Sequence, residues 1–208
     1  MKTTNFAIII FLFVLFLSCD SDSDNDSNSQ TEYEIGEIGP AGGHVFYDAG
    51  NYDNGWRYME TAPYDLEGFE WGCFNNPVEN ARTIDVGFGL ENTIAIVEFH
   101  DSFNNYYNNP SECSEGSNGT VAAKACLDLE INEFDNWHLP SEGEMLLMYQ
   151  VLHLNNLGNF EENDKTYWSS TEHDDNTATT TNFTNGAQGW QCKQCDFGLV
   201  KVRAVRYF

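Results

Sequence analysis

The chain has 208 residues, 33 of them acidic and 9 basic, for a net charge of −24 at neutral pH. A field of that sign repels polyanions, and phosphate or sulfate contacts need clustered Lys and Arg, so nucleic acids and sulfated glycans are poor partners. About 171 residues follow Glu37, enough for one domain that buries roughly 70% of its unfolded surface.

Residues 1–18 carry one cation, Lys2, and then an unbroken apolar run from Phe6 to Leu17. A membrane-spanning helix needs about twenty apolar residues, whereas the core of an export signal needs roughly 7–15. The run therefore reads as a signal peptide. Its end, Leu15-Phe16-Leu17-Ser18-Cys19, resembles the lipobox of bacterial lipoproteins, with Phe16 in place of the usual aliphatic residue. That resemblance implies an acylated Cys19, and several acyl chains at about 0.8 kcal/mol per buried CH₂ anchor a protein stably to a membrane.

Residues 19–37 hold Asp20, Asp22, Asp24, Asp26, Glu32, Glu34 and Glu37 and no base. Such a segment has almost nothing to bury and repels itself, which predicts an extended tether. An acidic run directly behind a lipidated cysteine is also similar to the surface-export signal of Bacteroidota lipoproteins. It implies an outer-membrane, outward-facing location. The remainder, 38–208, keeps 26 acids and 8 bases, a net of −18.

Within that domain, Gly, Pro and Asn clusters bracket two aromatic runs, His44–Ala49 and Trp56–Thr61, which read as two strands joined by a turn. Gly89–His100 places Leu90, Ile94, Val97 and the Phe99 region along one helical side. After a long polar loop, Val121, Ala122, Ala125, Cys126 and Leu129 line one face of a second helix. Pro140, Ser141 and Glu144 then form a capping-box signature ahead of Met145, Met148, Tyr149 and Leu152, which recur at helical spacing. The β-branched and aromatic C-terminal stretches predict an antiparallel sheet of three to four strands. Strands, then helices, then strands make an α+β domain.

Eight stretches, in order, carry a family resemblance: IGEIGPAGGHVFYDAG, GWRYMETAP, EWGC, GFGLENTIAIV, AAKACLDL, FDNWHLPSEGEMLLMYQ, YWSST and VRAVRYF. Together they resemble the C-terminal domain family of the Legionella collagen-like adhesin. The W-x-L-P-S and Y-W-S-S-T blocks are more weakly similar to the Fibrobacter major paralogous domain. Both resemblances imply a C-type lectin-like fold with paired terminal strands, helices on one side and long loops on the other. A fold of that kind fixes no ligand.

Five cysteines lie in the domain. Cys126, on the apolar face of its helix, reads as a buried free thiol. Cys192 and Cys195 flank a two-residue turn and suit a bridge across it, which leaves Cys73 to pair with Cys113. The alternative for Cys192 and Cys195, a redox or zinc pair, lacks both the following helix and further ligands. Calcium is a candidate cofactor at Glu172, Asp174 and Asp175, a run of oxygen donors after a strand, set against a merely solvated acidic loop. Exposed aromatics among amides, Tyr106 and Tyr107 in the long loop and Gln188 with Trp190 near the C-terminal hairpin, are candidate ligand contacts, set against rings folded back onto the core.

These readings predict a non-catalytic, surface-exposed binding or adhesion lipoprotein for a neutral glycan or protein. Two alternatives remain: a structural envelope component that self-associates, and an enzyme of the formylglycine-generating type.

Overall fold

The computed structural model describes residues 31–160, 166–194 and 199–208. The signal peptide, Cys19, the tether up to residue 30 and Cys195 lie outside the described residues. The chain divides into residues 1–31 and a packed unit, Glu32–Phe208. Residues 32–37, read from sequence as tether, thus belong to the packed unit. Gly36 and Glu37 exchange backbone hydrogen bonds with Val45, both at 2.8 Å, and the ring of Tyr33 meets those of Tyr58 and Phe208 edge-on.

The packed unit is α+β. Strands β1 (Val45–Asp48), β2 (Tyr58–Thr61) and β6 (Val205–Tyr207) form one antiparallel sheet in the order β1-β2-β6. Strands β3 (Thr166–Glu172), β4 (Thr177–Asn182) and β5 (Ala187–Cys192) form a second, in the order β3-β4-β5. Helices α1 (Gly89–Asp101), α2 (Ala122–Leu127) and α3 (Glu142–Val151) complete the set. The last strand leaves the C-terminal sheet to pair with the N-terminal hairpin, so the two ends of the unit share one sheet. All four residues of β2 are buried, which explains why its sequence does not alternate cleanly.

Two apolar clusters form the core. Met145 and Met148 of α3 and Leu152 at its C-terminal cap pack with Phe46, Met59, Tyr167, Phe183 and Val205. Ile96 and Val97 of α1, Ala122, Ala123 and Cys126 of α2, and three tryptophans, Trp71, Trp137 and Trp168, build the other. Each of these indoles donates to a carbonyl, of Ser169, Phe134 and Phe69 respectively, so none buries an unmet donor.

Helix α1 runs one residue past the expected Gly89–His100 and buries a different face. Asn92, Thr93, Ile96, Val97 and His100 point inward, while Ile94 is 41% exposed. The buried polar residues are satisfied by neighbouring backbone. Asn92 donates to the Thr83 carbonyl at 2.7 Å and Thr93 to that of Leu139 at 3.0 Å. His100 Nδ1 lies 2.6 Å from the Ile96 carbonyl, and its Nε2 accepts from the Cys73 amide at 3.0 Å. Burial pulls the His100 imidazole down to about 4, fixing it as a neutral structural strut.

Gly43 shows how closely the chain is fitted. A Cβ there would lie 1.5 Å from the Thr61 carbonyl oxygen, so only glycine admits the crossing of β1 against β2.

Candidate functional site

Helix α3 opens with the predicted capping box: Glu144 N–H donates to Ser141 Oγ at 3.2 Å and Ser141 N–H to Glu144 Oε2 at 2.9 Å. The same carboxylate also serves the start of α1. Its Oε1 accepts from Gly87 and Gly89 amides, at 2.9 and 3.3 Å, and from the Tyr207 hydroxyl at 2.8 Å. Burial alone would raise this carboxyl, but His138, the Ser141 amide and the Tyr207 hydroxyl outweigh it and hold it low. Tyr207 is driven the other way, far above its usual range, by burial and then by the Glu144 charge. A capping residue thereby clamps α3, α1 and β6 at one point.

Tyr207 is a wall of a cleft of about 470 Å³, within the size range of small-ligand sites. Trp56 stacks on Tyr207 with centroids 4.5 Å apart and planes at 16°. Tyr47 leans on Trp56 at 6.2 Å. Val86, Gly87, Phe88 and Leu90, at the entry to α1, face them across the opening, with Asn54 and Glu91 as polar rim. Phe88 is 37% exposed. Beyond Glu91 a shallower groove of about 520 Å³ runs along α1, with Ile94 between Glu79, Glu91 and Glu98. The cleft thus offers aromatic faces, one amide and one carboxylate in a strongly negative molecule.

The residues singled out in sequence do not gather into one patch. Tyr106 is a correction: it is 1% exposed and packs against His100, Phe103 and Tyr107, because the long loop folds its aromatics inward. Burial pushes the Tyr106 hydroxyl up to about 12, against the lowering pull of Ser117. Tyr107 is half-buried and donates to Asp101 at 2.8 Å. Trp190 is 60% exposed, with one face covered by the His173 ring at 4.5 Å and 2°. Gln188 is exposed on the same strand.

The calcium expectation meets a second correction at Glu172. Its side chain is buried and accepts from Lys193 Nζ at 2.5 Å, Arg82 Nε at 2.7 Å and the Val78 amide at 2.7 Å, so its oxygens are already occupied by cations of the chain. Asp174 caps its own turn, accepting from the Asn176 and Thr177 amides, both at 2.8 Å. Asp175 lies 3.5 Å from Arg82. Among the described residues no three His, Cys, Asp or Glu side chains are gathered as a metal ion would require.

Cys73 and Cys113 are bridged, with Cα atoms 5.9 Å apart, and Cys126 is a buried free thiol that burial pushes far up. Cys192 is itself disulfide-bonded. Between Cys192 and Cys195 the turn sends Lys193 inward: its Nζ also reaches the Asn76 carbonyl at 2.8 Å and sits 4.9 Å from the centre of the Trp71 ring.

No family model and no curated protein matches the chain. Among solved structures, a fimbrial protein from Bacteroides ovatus superposes with a TM-score of 0.45 at 14% identity, over 77% of this chain and 37% of that one. The chain thus spans little more than a third of that structure. The resemblance to the collagen-like adhesin family rests on the sequence blocks alone.

Proposed function

We propose that this protein is a lipid-anchored binding module at the bacterial cell surface, and that the cleft of Tyr47, Trp56, Phe88 and Tyr207 takes a neutral saccharide. The carrying observation is the cleft itself: aromatic faces stacked along one wall, with Asn54 and Glu91 at the rim. Aromatic faces pack on the C–H faces of sugar rings, while an amide donates to and accepts from hydroxyls and a carboxylate accepts from them. The net charge of −18 over residues 38–208 disfavours phosphorylated or sulfated ligands.

A binding role without a catalytic step is supported by how three carboxylates of the fold are committed. Glu172 is neutralised by Lys193 and Arg82, Glu60 by Arg206, and Asp65 pairs with Arg203. These are clamps within the fold, and none of the paired residues lines the cleft. Presentation at the surface follows from the lipobox-like Leu15–Cys19 and the acidic residues behind it.

Binding of the intact protein to a neutral glycan array tests the reading. Phe88→Ala and Trp56→Ala are expected to weaken binding about tenfold, or 1.4 kcal/mol, with the thermal midpoint of Phe88→Ala unchanged. A blank array, or binding indifferent to both substitutions, would sink the assignment. Membrane retention that survives Cys19→Ala would remove the anchor.

A further inference from the structure

We infer that strand β5 is a pairing edge for a second copy of this chain. Sheet edges expose unpaired N–H and C=O groups, and folded proteins cover, bulge, charge or break them. Among the described residues three of the four edges are covered at least in part. β1 is capped by Gly36 and Glu37 through Val45, and β6 by His138, which exchanges two bonds with Val205 at 2.8 and 2.9 Å. β3 is capped by Lys201, bonded to Trp168 and Thr166 at 2.9 and 2.8 Å.

No such cover lies along Ala187–Gln191 among the described residues. The strand also lacks the other protective devices. Ala187–Cys192 holds no charge and no proline, and its six pairs with β4 run without a bulge, whereas β1-β2 and β3-β4 each carry a register shift. Nearly every residue of the strand is exposed or half-exposed. Gln188 and Trp190 share one face by the two-residue alternation.

The open edge selects its occupant. Because β5 is the edge left open along its length among the described residues, two copies meet strand to strand, β5 against β5, antiparallel about a two-fold axis. Each then supplies the donors and acceptors the other lacks, and the contact closes as a dimer rather than growing into a fibre. A six-stranded sheet results. Each copy carries −18 over residues 38–208, so the neutral strand is where two such surfaces approach with least repulsion. Association therefore strengthens with ionic strength, as the Debye length falls from about 30 Å at 0.01 M to about 3 Å at 1 M.

Sedimentation of the full chain in density-matched detergent, across concentration and salt, tests this. The expected result is a monomer–dimer equilibrium that shifts toward dimer with salt and is lost, at least tenfold, in Gln188→Glu and in Trp190→Glu. A photo-crosslinking benzoylphenylalanine at position 188 is expected to give covalent dimers, and one at the exposed Tyr64 to give none. That arm keeps the test decisive if a Glu variant misfolds. A monomer under every condition, a dimer indifferent to both Glu variants, or crosslinks equal at the two positions would overturn the inference.

Discussion

Glu70 is the carboxyl whose environment has the clearest consequence for pH. It is 3% exposed, and among the described residues its side chain accepts from the Asn118 amide alone, at 3.2 and 3.1 Å to its two oxygens. Burial lifts it to about 7 from an ordinary 4.5. Between those values the folded protein holds a proton that the unfolded chain has released, so stability falls as pH rises through the window and stays low above it. The shift corresponds to about 3 kcal/mol. Glu70→Gln is therefore expected to gain stability at pH 8 relative to the parent and to match it near pH 4, measured by urea unfolding at the two pH values. Arg206 gives a companion test. It pairs with buried Glu60 opposite it in the β2-β6 register and lies 4.1 Å from the centre of the Phe134 ring. Arg206→Met leaves that carboxylate without its counter-ion, for an expected loss of about 3–5 kcal/mol in denaturant unfolding.

Among the elements, the long segment between α1 and α2 is held by covalent means. The Cys73–Cys113 bridge closes a loop with a sequence separation of 40, and Ser114 and Ser117 donate to the Gln194 side chain at 2.6 and 3.1 Å. Loop-closure entropy gives the bridge about 4 kcal/mol. Cys73→Ala/Cys113→Ala is expected to lower the thermal midpoint by roughly 10 °C, read by calorimetry. Elements of this kind were legible in proportion to how local their determinants are. Helix α3 was readable because Ser141, Glu144 and the Met145/Met148 spacing are neighbours in sequence. The inner face of α1 was not, since Asn92 and Thr93 are buried on the strength of carbonyls from Thr83 and Leu139. The cleft escaped for the same reason: Trp56 gained its stacking partner from Tyr207, at the far end of the chain. Tyr106 looked exposed among asparagines, and only the packing of its loop on His100 buries it. The aromatic runs around Tyr47 and Trp56 were still a usable signal, as rings too many for one short hairpin to bury.

At the scale of the whole molecule, charge is the dominant asymmetry. A net of −18 over residues 38–208 loads the compact state with self-repulsion. Added salt screens it, so the thermal midpoint is expected to climb by several degrees between 0.01 and 1 M sodium chloride, where the screening length shrinks about tenfold. Trp190→Glu, which abolishes pairing, separates this effect from dimer formation: its midpoint is expected to climb as well. A flat midpoint in that variant would show that the buried ion pairs, and not the surface, govern the electrostatics.

The meeting of Tyr33 with Phe208, rings 5.3 Å apart, has an architectural outcome. Phe208 bonds to Tyr58 in both directions, at 2.9 and 3.0 Å, so the first and last turns of the packed unit lie side by side over one hairpin. Chain order is then incidental to the shape. A circular permutant that joins Phe208 to Glu32 through a few glycines and reopens at the exposed Glu115–Gly116 link has every strand neighbour it started with.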